Sequence, residues 1–183
     1  ENDAGVVPLG AVTETADADP GYYSLGITQG DNDEVDGLED FAGKDTCFVD
    51  PGSTSGFLYP SYGLMEEGVV EGGTEAELSE VLEPIFAGGH DASALSVKNG
   101  DCEVGFAMQP MVERTLVESG ELQDGDLKEV WKSPLISGSA FVAREGLGEE
   151  VVADLTEIMT TKANADHLVE QGMCEAPCLL TDE

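Results

Sequence analysis

The sequence predicts an α/β fold: a three-layer, Rossmann-like domain in which helices cover both faces of a mainly parallel sheet. Two observations support this prediction. Short apolar segments of strand length alternate along the chain with longer segments of helical periodicity, and such alternation favours parallel strands joined by helices. The 183 residues, 40% of them hydrophobic, suffice for one large or two small domains.

The predicted strands are short apolar segments bounded by turn residues: 22–28, 46–49, 84–87, 103–107, 130–131 and 140–143. The predicted helices lie between or after them: 35–41, 57–67, 74–83, 91–98, 110–118 and 149–160. Pro60 falls in the first turns of its helix, where proline is tolerated. Thr74 precedes Glu77 by three residues, which is the spacing of a capping box. Gly100 ends the helix before it.

The chain is strongly acidic, with 39 Asp and Glu against 7 Lys and Arg, a formal net charge of −32. The acids are spread along the chain, which indicates a solvated surface rather than an interaction tail. This charge argues against nucleic-acid binding, which depends on contacts with phosphates, and against docking on anionic lipid. No apolar run approaches the ~20 residues of a membrane span.

The most informative segment is Asp-Pro-Gly-Ser-Thr-Ser-Gly at residues 50–56. It lies where a predicted strand turns into a helix, so its main-chain N–H groups and the helix dipole favour an anion. Ser53, Thr54 and Ser55 add hydroxyl donors to such a site. The alternative is plain helix capping, for which Ser and Thr are also preferred.

A second turn of the same kind is Gly-Gly-His-Asp at residues 88–91. The carboxyl ends of neighbouring parallel strands face one crevice, so we expect His90 to offer an N–H donor to the anion held by Ser53–Ser55. The alternative is an exposed helix start in which Asp91 is the cap and His90 has no role.

The four cysteines favour two disulfides in an oxidising compartment, Cys47 with Cys102 and Cys174 with Cys178. Cys47 and Cys102 each open a predicted strand, and neighbouring parallel strands would bring them together. A metal site is the first alternative, but the Cys174–Cys178 spacing has no matching second pair or nearby histidine. Reduced, buried cysteines are the other alternative.

Five segments together resemble the phosphate/phosphite/phosphonate solute-binding proteins of ABC importers, the PhnD-like, type II periplasmic binding proteins: residues 22–24, 43–44, 48–57, 88–92 and 131–136. The resemblance extends from about residue 6 to about residue 165. It implies a lobe of a two-lobed, extracytoplasmic protein that closes on its ligand. Residues 1–21 would end the first lobe, 22–143 would form the second lobe with both hinge strands, and 144–183 would return to the first lobe.

The resemblance also implies the site and its ligand. Ser53, Thr54 and Ser55 match the hydroxyl triad that holds a phosphorus oxyanion, His90 matches a histidine that donates to it, and Tyr22 is a looser match to a tyrosine near the hinge. No cofactor, metal or catalytic residue is implied. The implied partners are an ABC permease and ATPase, with a removed or absent N-terminal lipoprotein segment as anchor. The first segment of the first lobe has no counterpart here, so we expect a fragment or a second chain.

Two other functions fit parts of the same pattern. An anion-binding lobe could serve a sensor or a surface assembly instead of an importer. A hydrolase would use a triad serine as nucleophile and His90 as base, but the sequence lacks the Gly-x-Ser-x-Gly elbow. We therefore expect a binding protein and not an enzyme.

Overall fold

A computed structural model describes residues 5–11, 21–162 and 170. The chain divides into two compact units. The larger unit comprises residues 22–136, and the smaller unit combines residues 1–21 with residues 137–183.

The larger unit contains a five-stranded sheet. Its strands are β3 (Ser24–Gln29), β4 (Asp45–Phe48), β5 (Glu83–Phe86), β6 (Val104–Met108) and β7 (Leu127–Lys132). They lie side by side in the order β5-β4-β6-β3-β7. β4 pairs in parallel with both β5 and β6, whereas β3 runs antiparallel to β6 and β7. Four of the five strands therefore run in one direction, which confirms the mainly parallel sheet. β3 is the exception.

Helices cover both faces of this sheet. They are α1 (Tyr59–Glu66), α2 (Glu75–Leu78), α3 (His90–Asn99) and α4 (Leu116–Glu118), with a 3-10 turn at Leu38–Phe41 and π turns at Thr54–Leu58 and Met111–Thr115. One apolar cluster packs around Phe48 and Phe106 and includes Leu64 of α1. A second packs around Leu25 and Ile27 and includes Val97 of α3. Two clusters on opposite faces produce the predicted three layers.

The predicted helix ends are correct at two positions and wrong at two others. Thr74 and Glu77 form the capping box, and Gly100 ends α3 in the left-handed region, at φ 79°. α2 is shorter than predicted, however, because it ends at Leu78 and the chain turns there into β5. The helix after the serine segment begins earlier than predicted, as the π turn Thr54–Leu58 that continues into α1.

A disulfide joins Cys47 to Cys102, with a Cα–Cα distance of 5.8 Å. Both residues are buried. Cys47 lies in β4, and Cys102 lies two residues before its parallel neighbour β6, as the sequence predicted. Cys174 and Cys178 lie outside the described residues, so their pairing stays a prediction.

The smaller unit contains β1 (Val6–Ala11), β9 (Ala140–Arg144) and α5 (Glu149–Glu157), which is followed by a π turn at Ile158–Lys162. β1 and β9 are antiparallel, and α5 contacts β1. Two short strands, β2 (Gly21–Tyr22) and β8 (Ile136–Ser137), pair where the chain passes between the units. The assignment of these segments to the two lobes of a binding protein stays a prediction. In the described part of the chain, no helix is long and apolar enough to span a membrane.

Candidate functional site

The serine segment forms a tight turn at the carboxyl end of β4. Asp50 begins it: its carboxylate accepts from the Gly52 N–H at 2.8 Å, and its carbonyl accepts from the Ser53 N–H at 2.9 Å. Ser53 is extended and caps the helical turn, because its Oγ accepts from the Gly56 N–H at 3.0 Å. A hydroxyl that accepts one hydrogen bond still carries its own hydrogen. Capping by Ser53 and donation to an anion are therefore compatible.

Gly56 lets this turn lie directly on the end of the sheet. Its carbonyl accepts from the Val49 N–H at 3.1 Å, and the residue is buried. A Cβ at this position would lie 2.3 Å from Val49 Cβ and 2.8 Å from Ser53 Oγ. Glycine is required here because the Val49 and Ser53 side chains leave no room for a Cβ.

Thr54 and Ser55 begin the helical turn in different environments. The Thr54 side chain is exposed, whereas Ser55 is only 2% exposed. In the described chain, no acceptor takes the main-chain N–H of either residue. Unpaired N–H groups at a helix start carry the positive end of the helix dipole. They therefore add two donors to the three hydroxyls of the turn.

His90 begins α3 at the carboxyl end of β5, on the same edge of the sheet. The β4–β5 ladder continues beyond both strands, because the Gly88 N–H donates to the Val49 carbonyl at 2.8 Å. This continuation brings the two turns together, and His90 Nε2 lies 3.5 Å from Ser55 Oγ. The structure thus places His90 beside the serine turn, as the sequence predicted.

The protonation of His90 follows from its second ring nitrogen. Nδ1 accepts from the Met108 N–H at 3.0 Å, so Nδ1 presents a lone pair and the neutral ring carries its hydrogen on Nε2. Burial lowers the pKa of His90, against a smaller opposing effect of Asp91. His90 therefore offers a neutral N–H donor on the side of Ser55.

This tautomer is wrong for a general base. A histidine that activates serine needs a free lone pair on the nitrogen facing the hydroxyl, and an acceptor that orients its other N–H. Here the nitrogen facing Ser55 carries the hydrogen, and the other nitrogen accepts from Met108. The arrangement is suited to donating hydrogen bonds to a bound anion.

Tyr22 is not brought into this group. It lies in β2 and is half-buried, and none of the hydrogen bonds of the described residues joins it to the serine turn or to His90. Sequence reasoning missed Ser24, whose Oγ donates to the Ser55 carbonyl at 2.6 Å. Ser24 lies in the 22–24 segment that carries the family resemblance, but no pattern in the sequence indicated a role for its side chain.

Neither turn contributes a cationic side chain. No Lys or Arg occurs in residues 50–56 or 88–91. Three lysines are paired elsewhere: Lys44 with Glu103 at 3.2 Å, Lys98 with Asp126 at 2.9 Å and Lys128 with Asp36 at 2.6 Å. Within the part of the chain that the structure describes, no group of His, Cys, Asp and Glu is placed to hold a metal ion.

Comparison with known proteins agrees with this geometry. The model of the family described as "ABC transporter, phosphonate, periplasmic substrate-binding protein" matches residues 1–172. A relative from Mycolicibacterium smegmatis, named "Phosphate-import protein PhnD", is 52% identical over all 183 residues. The chain belongs to this phosphonate-binding family. The predicted resemblance is confirmed.

Other members of the phosphonate-binding family are more distant. The "Phosphonates-binding periplasmic protein" of Escherichia coli is 34% identical over 143 residues, which cover 76% of this chain. The crystal structure of a binding protein component of an ABC phosphonate transporter from Pseudomonas aeruginosa is 30% identical, with a TM-score of 0.57, and the match covers 84% of this chain and 50% of that one. The present chain spans 57% of the Mycolicibacterium protein and 40% of the Escherichia protein.

Proposed function

We propose that this chain carries the anion-binding turn of an extracytoplasmic solute-binding protein, and that Ser53, Thr54, Ser55 and His90 bind a small phosphorus oxyanion. The observation that carries the proposal is the convergence of the buried Ser55 hydroxyl and the His90 Nε2–H at one helix start, 3.5 Å apart. Membership of the phosphonate-binding family supports the ligand class.

The proposed mode of binding relies on neutral donors. Three hydroxyls, one imidazole N–H and two main-chain N–H groups surround the start of the helical turn. A hydrogen bond to a charged acceptor contributes roughly 1.5–3 kcal/mol. Micromolar affinity corresponds to about 8 kcal/mol, so a few such bonds suffice without a lysine or arginine.

The net charge of −32 opposes the approach of an anion but not its retention. At physiological salt the Debye length is about 8 Å, so distant surface carboxylates are largely screened. The donors of the turn act at hydrogen-bond distance, where screening is weak. The charge should therefore slow association at low salt and have little effect on the bound state.

Within phosphorus oxyanions, the names of the relatives point in two directions: one is a phosphate-import protein and one binds phosphonates. We infer that the ligand is phosphate, phosphite or a small phosphonate. The partners in the proposed function are the permease and ATPase of an ABC importer, and the location is outside the cytoplasmic membrane. Tyr22 stays a candidate for lining the cleft.

Calorimetric titration of the intact protein tests this proposal. Phosphate, phosphite and methylphosphonate are the ligands, and sulfate is the control anion of similar size. Binding of at least one phosphorus oxyanion, weakened by Ser55→Ala, is the expected result. Absence of binding for all three, or equal affinity for sulfate and for every phosphorus ligand, would overturn it.

The proposed binding function also predicts the absence of hydrolytic turnover. Because the His90 hydrogen lies on Nε2, the hydroxyl of Ser55 has no base. We expect no hydrolysis of p-nitrophenyl acetate or p-nitrophenyl phosphate above the rate of the Ser55→Ala variant. Turnover that Ser55→Ala abolishes would favour the hydrolase alternative.

A further inference from the structure

Ser24 makes an unusual contact with the proposed binding turn. It opens β3, is 0% exposed, and donates from Oγ to the main-chain carbonyl of Ser55 at 2.6 Å. The two residues are 31 positions apart in sequence. The bond therefore connects the first residue of a central strand to the middle of the serine turn.

The Ser55 carbonyl needs this outside donor because the helix cannot supply one. The next helical N–H, that of Tyr59, donates to the carbonyl of Thr54. The following residue is Pro60, which has no N–H. A buried carbonyl without a partner would be costly. The Ser24 hydroxyl takes the place of the N–H that Pro60 lacks.

Ser133 holds Ser24 in position. The Ser24 N–H donates to Ser133 Oγ at 2.9 Å, and the Ser133 N–H donates to the Ser24 carbonyl at 2.9 Å. Ser133 is only 5% exposed, and its own hydroxyl donates to the Pro134 carbonyl at 2.8 Å. These two reciprocal bonds extend the β3–β7 ladder by one step, with a side-chain oxygen as one acceptor.

We propose that Ser24, held by Ser133, is a positioning residue for the anion-binding turn. Its hydroxyl fixes the Ser55 carbonyl and thereby the direction of the Ser55 hydroxyl and of the first N–H groups of the helix. Ser24 lies two residues after Tyr22, where the chain enters the larger unit, and Ser133 lies three residues before Ile136, where it leaves. Both residues therefore lie close in sequence to the ends of the larger unit.

The structural part of the inference is tested without ligand, by amide hydrogen exchange on the intact protein. The reporters are the N–H groups of Gly56, Phe57 and Leu58, which all donate to Ser53. In Ser24→Ala we expect their exchange to accelerate about fivefold to tenfold, the effect of losing one typical hydrogen bond.

Ser93→Ala is the matched control. Ser93 is also 0% exposed, and its Oγ also donates to a main-chain carbonyl, that of Phe106 at 2.8 Å. It does not contact the serine turn. We expect this variant to lose comparable thermal stability while leaving exchange at the three reporters within about twofold. Equal exchange in the Ser24→Ala and Ser93→Ala variants would overturn the inference.

A second substitution distinguishes positioning from general destabilisation. Pro60→Ala restores an N–H at position 60, which can donate to the Ser55 carbonyl in the same i→i−5 pattern by which Tyr59 donates to Thr54. In the double variant Ser24→Ala/Pro60→Ala, with the i→i−5 pattern of the π turn retained, we expect exchange at the reporters to return to within about threefold of the unchanged protein. A double variant that exchanges as fast as Ser24→Ala, or faster, would contradict the proposed role of the carbonyl.

Ser133→Ala serves if Ser24→Ala does not fold. It keeps the Ser24 hydroxyl and removes the acceptor of the Ser24 N–H, together with the Ser133 bond to the Pro134 carbonyl. A smaller acceleration of exchange, confined to the turn, is expected. If the turn exchanges at the same rate in Ser133→Ala as in the unaltered protein, Ser133 does not hold Ser24 in position.

The functional part rests on the proposed function, because it concerns phosphate affinity. We expect Ser24→Ala to raise the Kd for phosphate about fivefold to tenfold and Ser93→Ala to change it less than about twofold. If the unchanged protein binds and Ser24→Ala binds equally well, the positioning role is wrong. If the unchanged protein binds no phosphorus oxyanion, the proposed function is wrong, and the exchange experiment still decides the structural role.

Discussion

Gly56→Ala should displace the proposed binding turn while the rest of the fold remains formed. The added Cβ would lie 2.3 Å from Val49 Cβ and 2.4 Å from Val49 Cγ2. Carbon atoms in optimal contact are about 3.5–4.0 Å apart, so the turn must move by more than about 1 Å. Val49 is only 5% exposed and cannot swing into solvent to make room.

Gly56→Ala is expected to reduce both the stability of the protein and its affinity for phosphate. Overpacking of this kind typically destabilises a protein by about 1–3 kcal/mol. Displacement of the turn also breaks hydrogen bonds to the ligand, each worth roughly 1.5–3 kcal/mol, so phosphate affinity should fall at least tenfold to one-hundredfold. Thermal unfolding followed by circular dichroism measures the loss of stability, and calorimetric titration measures the loss of affinity.

Gly52→Ala is the control, four residues earlier in the same loop. Its Cβ would lie 3.1 Å from Asp50 Oδ1, a flexible side chain that can give way. This variant should remain folded and bind phosphate within about threefold of the unchanged protein. If Gly56→Ala is folded and binds as tightly as Gly52→Ala, the serine turn does not hold the ligand.

Four further predictions concern His90, the disulfide and salt. His90→Phe should weaken phosphate binding about tenfold to one-hundredfold in calorimetry, because one donor to a charged acceptor is lost. Burial lowers the pKa of His90. The contribution of the neutral ring to stability is therefore complete above about pH 6.5 and declines as the pH falls below that value. We expect the Tm of a His90→Gln variant to depend less on acid pH than that of the unchanged protein, and an equal dependence would contradict this. Removal of the Cys47–Cys102 disulfide, which closes a separation of 55 residues, should lower the free energy of unfolding by about 4 kcal/mol in urea titration, and an unchanged unfolding midpoint would contradict it. Phosphate affinity should hold or rise between about 0.15 M and 1 M KCl, whereas a steep fall would indicate a cationic contact.

The fold was predictable because its signals are local. Short apolar strands, the capping box of Thr74 and the glycine at position 100 each act within a few residues. The direction of β3 was harder to predict from the sequence, because it depends on a connection from another unit rather than on residues in the strand. α2 was predicted too long because its acidic residues continue past Leu78, where tertiary packing ends the helix.

The residue types of the candidate site were predictable from the sequence, but the contacts that support them were not. Ser53, Ser55 and His90 stand at strand-to-helix turns, and parallel pairing of β4 and β5 brings those turns together. The tautomer of His90 depends on the Met108 N–H, a main-chain group that has no sequence signature. The role of Ser24 was missed for a similar reason. It exists only because Pro60 leaves the distant Ser55 carbonyl without a helical donor.

The most direct test of the proposed site is the nitrogen NMR spectrum of the histidine side chains, recorded with and without phosphate. The chain has two histidines, and a His90→Gln variant identifies the signals of His90. We expect a neutral ring with hydrogen on Nε2, whose Nε2–H resonance moves on addition of phosphate while Nδ1 remains an acceptor. A His90 ring protonated on Nδ1, or one whose signals do not respond to bound phosphate, would contradict neutral-donor recognition at this turn.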